Sequence, residues 1–185
     1  MEIYSFQSYL IILFVVLTII SIFVFRQFIK TRTEELNLID FEQKGLDSIN
    51  KASELYEFGS IQIKKRLYSE ATKTFLKAIE NYENEPNEAK AIIENALGFS
   101  YAAQNDFKKA IKHYNLAVKI LPEYPIALNN LASAQQRLLD YELAYETYKK
   151  VLVIDPKNKT AIKKSKELEK RKDFKPYKGI KDKGF

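Results

Sequence analysis

Residues 94–156, ENALGFSYAAQNDFKKAIKHYNLAVKILPEYPIALNNLASAQQRLLDYELAYETYKKVLVIDP, carry helix-forming sequence punctuated by small residues and prolines. The punctuation is periodic. Gly98 and Ala132, Ala110 and Ala144, Tyr114 and Tyr148, and Pro122 and Pro156 are each 34 residues apart. An earlier copy stands upstream, where Gly59, Ala71, Phe75 and Ala78 precede Gly98, Ala110, Tyr114 and Ala117 by 39. Its internal spacing is the same, and five extra residues follow it around NYENEPNEAK, residues 81–90.

A period of 34 residues is the signature of the tetratricopeptide repeat, a pair of antiparallel helices. Each recurring residue has a physical reason. Gly98 and Ala132 lie where the second helix of a pair crosses the first, and Ala110 and Ala144 are the reciprocal small residues. Tyr101, Phe75, Tyr114 and Tyr148 fill the space between helices with large rings. Ala117 packs on the next repeat. Pro122 and Pro156 end the second helix. Asp106 and Asp140 sit in the short turns, where a carboxylate can accept backbone N–H bonds. The sequence therefore predicts an all-α chain: an N-terminal transmembrane helix, an α-solenoid of three tetratricopeptide repeats, and a capping helix. The boundaries read as 1–30 for the anchor, 31–51 for a linker helix and 52–172 for the repeats and cap. The repeats are 52–90, 91–124 and 125–158. Residues 159–172 form the polar cap that a solenoid needs, and 173–185 form a basic flexible tail.

The anchor rests on Ile3 to Phe25, 23 residues without a charge. As a helix they span about 35 Å, enough to cross the hydrocarbon core. Tyr4, Phe6 and Tyr9 mark one end, and Arg26, Lys30 and Arg32 follow the other. A cleaved signal peptide fits less well, because Glu2 stands where a basic residue is needed and no small-residue cleavage site follows. Positive charge after the span places the repeats on the cytoplasmic or stromal side. In the linker, Leu36, Ile39 and Leu46 keep roughly helical spacing, with Gly45 a candidate bend.

Composition excludes several chemistries. The chain has no cysteine, hence no disulfide, thiolate metal site or thiol redox chemistry. His113 is the one histidine in the sequence. It reads as a helix residue rather than a ligand or base, because a triad or His-rich metal site needs partners the chain lacks. No phosphate-binding loop, dinucleotide fingerprint or metal spacing occurs. The sequence predicts no enzyme and no cofactor. Charge is local: residues 157–185 hold twelve Lys and Arg against four Asp and Glu, +8 of a chain total of +6, so residues 1–156 sum to −2. The tail reads first as a solubilising end. Its functional alternative is contact with an anionic lipid surface or an acidic partner. Nucleic acid is not an expected partner, since aromatics there are few and no nucleic-acid-binding fold is present.

Tetratricopeptide arrays bind protein partners in a groove lined by their first helices. The phase of the repeat places Tyr56, Ser60 and Ile63 there from the first repeat. Asn95, Phe99, Ala102 and Ala103 come from the second, and Asn129, Ser133, Gln136 and Arg137 from the third. The amides would hold an extended peptide backbone, Phe99 and Ile63 would supply apolar contact, and Arg137 would meet a carboxylate. Co-chaperone repeats grip acidic chaperone tails with lysine, asparagine and arginine at set positions. Here Tyr56, Ser60 and Ile126 occupy positions of that clamp, which sets that class of partner aside.

The anchor YLIILFVVLTIISIFVF and the repeat run ALGFSYAAQNDFKKAIKHYNLAVKILPEYPIALNNLA, with the basic stop between them, resemble a known family. It is that of the small thylakoid tetratricopeptide-repeat proteins of cyanobacteria and algal plastids, implicated in photosystem I assembly. Lysine outnumbers arginine 25 to 5, and isoleucine numbers 20 and asparagine 11, which suits an AT-rich genome such as a plastid's. The resemblance implies a single-pass thylakoid protein with its repeats in the stroma. Its partners would be photosystem I subunits or assembly intermediates, and it carries no catalytic residues to transfer. The competing class is a membrane-tethered repeat scaffold for another complex, in bacterial envelope assembly, secretion or organelle protein import.

Overall fold

The computed structural model describes residues 2–82 and 86–171. The expected tail, 173–185, lies outside the described residues. The chain divides into two units, residues 1–46 and 47–185.

The first unit is one uninterrupted helix, α1 (Glu2–Lys44). It runs through the expected anchor and most of the expected linker without a break. Its apolar side chains are exposed in every direction from Tyr9 to Ile29, so it has no polar face to turn toward water. The hydroxyls within it are satisfied internally: Thr18 Oγ1 donates to the Phe14 carbonyl at 2.8 Å and Thr33 Oγ1 to the Ile29 carbonyl at 3.0 Å. The helix is long and apolar enough to cross a membrane. Past the apolar run, Arg32 pairs with Glu35 and Lys44 with Asp40, one helical turn apart. Gly45 ends the helix at φ +75°, a left-handed conformation that suits glycine, with its N–H on the Phe41 carbonyl at 3.1 Å.

The second unit opens on a short 3-10 turn (Leu46–Ser48). Seven helices follow: α2 (Ala52–Lys64), α3 (Tyr68–Glu80), α4 (Asn87–Ala103), α5 (Phe107–Ile120), α6 (Pro125–Arg137), α7 (Tyr141–Ile154) and α8 (Lys159–Glu169). α2 pairs with α3, α4 with α5 and α6 with α7, and each pair packs on the next, with α8 on α7. These are the three predicted repeats and the cap. α4 starts at Asn87, one turn ahead of the position equivalent to the first residues of α2 and α6. The extra residues after the first repeat supply that turn.

Each pair closes on the predicted fit of ring against small residue. A Cβ built on Gly98 would lie 2.7 Å from the Tyr114 ring and 3.2 Å from the Ala110 carbonyl oxygen. On Gly59 it would lie 2.6 Å from the Phe75 ring. Phe75, Tyr114, Tyr148 and their alanine neighbours Ala71, Ala110 and Ala144 are buried. The prolines act as the sequence predicts. Leu121 and Asp155, each just before a proline, take near-identical extended conformations, φ −129° with ψ 88° and 87°. α5 and α7 therefore stop at Ile120 and Ile154. The two turn aspartates differ. Asp106 accepts the Lys109 backbone N–H at 3.1 Å, and that bond, with the Lys109 ammonium, holds its carboxyl below the usual aspartate range. Asp140 makes no side-chain cap, so the turn after α6 closes on backbone bonds alone.

Those backbone bonds are the same in all three pairs. Leu67, Asp106 and Asp140 N–H groups reach back to the Gln62, Tyr101 and Gln135 carbonyls at 2.8, 2.9 and 3.0 Å. The residue before each, Arg66, Asn105 and Leu139, has φ of +62°, +63° and +67°. This is a Schellman closure made without glycine. Asparagine tolerates it, while arginine and leucine are strained by about 1 kcal/mol each.

The polar interior is where the repeats differ. In the first repeat Thr74 Oγ1 donates to Gln62 Oε1 at 2.8 Å, and in the third Thr147 Oγ1 donates to Gln135 Oε1 at 2.9 Å. All four residues are buried. The middle repeat holds Tyr101 and His113 at these positions, with rings stacked at 5.3 Å. His113 Nδ1 then pairs with Glu94 Oε2 at 2.8 Å, the two side chains being 12% and 6% exposed. Glu94 occupies the place of Leu128 in the third repeat.

Two predictions follow from the packing. Gly98→Leu drives a side chain into the Tyr114 ring, and a loss of about 3 kcal/mol is expected in chemical denaturation of the detergent-solubilised chain followed by helical circular dichroism; unchanged stability would show the register to be wrong. In the same assay His113→Leu strands a buried carboxylate and costs about 2 to 3 kcal/mol. Adding Glu94→Leu should restore most of that loss, and a double variant as unstable as the single one would show that the pair is not the cause.

Candidate functional site: the inner face of α2, α4 and α6

The first helix of each pair supplies the inner face, and its side chains recur at one register. Tyr56, Ser60 and Ile63 lie half-buried on α2. On α4, Asn95, Ala102 and Ala103 are half-buried and Phe99 is 41% exposed. On α6, Asn129 and Gln136 are half-buried while Ser133 and Arg137 are exposed.

Several of these groups are tied to their neighbours. Asn130 Nδ2 donates to Asn95 Oδ1 at 2.9 Å, joining α6 to α4. The Asn95 amide also hydrogen-bonds the Tyr124 phenol, which burial and the nearby Tyr56 nonetheless push above its ordinary pKa. Asn129 Nδ2 donates to Asn158 Oδ1 at 3.2 Å, and that oxygen also caps α8 by accepting the Ala161 N–H at 3.1 Å. The Asn129 Oδ1 is enclosed without a hydrogen-bond partner. Ser60 Oγ donates to the Tyr56 carbonyl at 2.7 Å. Ser133 hydrogen-bonds the Tyr148 phenol, whose pKa burial raises to about 12. Phe99 meets the Tyr68 ring edge-on at 6.4 Å, and the Arg137 guanidinium lies 5.0 Å over the Phe107 ring.

The expected amides thus already link helix to helix. The face is a set of fixed dipoles with Phe99, Ser133, Gln136 and Arg137 as its more open members. At the mouth between α2 and α4 there is a pocket of about 130 Å³ lined by Ser53, Tyr56, Ala89, Ile92 and Ile93. The extra turn of α4 contributes Ala89. A pocket of that size and lining takes one apolar side chain. At the expected clamp positions the structure presents Tyr56, Ser60 and an Ile126 that is 58% exposed, with no cation at any of them.

The reading of residues overlooked Asn130, Tyr124 and the α2–α4 pocket. Asn130 was discoverable in principle, since it is an amide beside a groove position on an otherwise apolar helix. The pocket depends on where the insertion places a helical turn, which no periodicity reports. Among the described residues no group of three or more His, Cys, Asp or Glu is placed to hold a metal ion.

The chain matches two repeat families, one described as TPR repeat over residues 98–138 and one as tetratricopeptide repeat over 126–158. Both are families of interaction scaffolds and neither is an enzyme family. The first predicted repeat lies outside both matches, yet α2 and α3 form the same pair. The first tetratricopeptide-repeat domain of Spaghetti (RPAP3), solved with the HSP90 peptide SRMEEVD, is similar with a TM-score of 0.59 at 25% identity, covering 64% of this chain and 93% of that one. The chloroplastic tetratricopeptide repeat domain-containing protein PYG7 of Arabidopsis thaliana is 31% identical over 94% of this chain, which spans 56% of that protein's length. The photosystem I assembly protein Ycf3 of Rippkaea orientalis is 30% identical over 51% of this chain and 56% of its own length. The protein ycf37 of Cyanophora paradoxa is 31% identical over 91% of this chain and 98% of its own length. At that identity and near-complete coverage, the chain belongs to the ycf37 family of tetratricopeptide-repeat proteins.

Proposed function

We propose that this protein is a membrane-anchored scaffold in the assembly or stabilisation of photosystem I. α1 crosses the thylakoid membrane once and the repeats face the stroma, or the cytoplasm in a cyanobacterium. The inner face of α2, α4 and α6 receives an extended segment of a photosystem I subunit or assembly intermediate. The observation that carries this reading is the likeness to Ycf3, a photosystem I assembly protein by name. The topology is supported by Arg26, Lys30 and Arg32 immediately after the apolar run. Within the groove, the α2–α4 pocket takes an apolar side chain of the client. Phe99 covers a neighbouring one, and Gln136 and Arg137 meet polar or acidic groups further along. Ser60, Ile63, Asn95, Asn129 and Ser133 shape the floor between them. Tethering confines the scaffold near nascent membrane subunits and raises their effective concentration.

Affinity purification of the tagged full chain from mildly solubilised thylakoids tests the client. Photosystem I subunits should be enriched over other photosynthetic complexes, and Phe99→Asp, a change at an exposed position, should return them to background. Import or secretion components in their place would identify a scaffold of another pathway. Topology has its own readout, because the chain has no cysteine. A single Lys166→Cys variant should react with a membrane-impermeant maleimide from the stromal side of intact thylakoids; protection there until the membrane is opened would reverse the orientation.

A further inference from the structure

The second helices of the repeats carry a site of their own. Between α5 and α7 lies an open cleft of about 420 Å³, with Asn115 and Val118 on one wall, Leu128 and Leu131 of α6 as floor, and Lys150 and Val153 on the other wall. Val153 is 83% exposed, a branched apolar side chain standing almost wholly in water. The equivalent residue one repeat earlier is Lys119, as a merely solvated face would have. At the position of Lys150 the middle repeat has Leu116, which is half-buried. Exchanging that leucine for a lysine makes the rim cationic beside an apolar floor.

The charges around the cleft are uneven along its length. Lys112 on α5 and Glu146 on α7 are equivalent positions of successive repeats, so the start of the cleft is balanced. Toward the C-terminal ends of both helices stand Lys119 and Lys150, exposed and without an ion-pair partner among the described residues. An apolar trough flanked at that end by unpaired cations is complementary to a helix with apolar residues on one side and carboxylates beside them. We propose that the α5–α7 cleft is a second docking surface, which takes an acidic amphipathic helix of a partner protein. It is independent of the inner face, so one chain can hold two partners or two parts of one.

The probe is a dye-labelled synthetic helix of about 18 residues with leucines along one face and glutamates on the other. Its binding to the full chain in phosphatidylcholine nanodiscs is read by fluorescence anisotropy. Saturable binding is expected, about tenfold weaker with Val153→Asp and with Lys150→Glu and unchanged with Phe99→Asp. A peptide with lysines for glutamates should not bind. Both altered positions are exposed, and circular dichroism checks that the helices persist. Peptide affinity within about twofold of the parent in both variants would overturn the proposal. So would variants that lose only attachment to phosphatidylglycerol-rich vesicles, which would make the surface a lipid contact.

Discussion

A ring laid against a residue too small to displace it is the contact on which every repeat of this protein depends. Phe75 on Gly59, Tyr114 on Gly98 and Tyr148 beside Ala132 set how closely the two helices of a pair approach. That approach then fixes what else can happen: the short turn, the shared Schellman closure, and the tilt at which the next pair stacks. Burial of two phenols follows from the same fit, and it pushes the pKa of both Tyr114 and Tyr148 upward. The hydroxyls add polar anchorage where they emerge, as with Ser133, but the apolar area of the rings supplies the larger stabilisation.

Within that common frame the repeats have diverged in their polar interiors. The outer two use a neutral hydroxyl-to-amide bond, Thr74 with Gln62 and Thr147 with Gln135. The middle one uses a carboxylate and an imidazole beneath a stacked tyrosine. Both solutions satisfy buried polar groups, which is the requirement that matters for folding. They leave different shapes outside. Where Glu94 and His113 sit in the middle repeat, the third has Leu128 and Thr147, both of which line the cleft between α5 and α7.

Most of the architecture was legible because it is periodic. Gly98, Ala110, Tyr114 and Pro122 each recur at one offset, and the physical role of each can be argued from its size or its missing N–H. The Gln–Thr bonds were legible too, since Gln62 and Gln135, like Thr74 and Thr147, are 73 residues apart, the sum of the two offsets. The rest was hidden for definite reasons. The left-handed turns fall on arginine, asparagine and leucine, so no glycine marks them. Asn95 and Asn129 read as free amides because their partners, Asn130 and Asn158, come from helices whose relative placement only the fold supplies. Asp140 looks like Asp106 in sequence, yet only Asp106 caps its helix.

The last helix has a consequence for how many copies can gather. α8 turns Ala161, Ser165 and Leu168 inward against α7 and leaves Lys159, Lys163, Lys166 and Lys170 outward. Repeat surfaces are self-complementary in principle, and an open end would let one molecule stack on the next without limit. A lysine-covered terminus repels its own copy, and so the array stays finite at three repeats rather than growing into a filament.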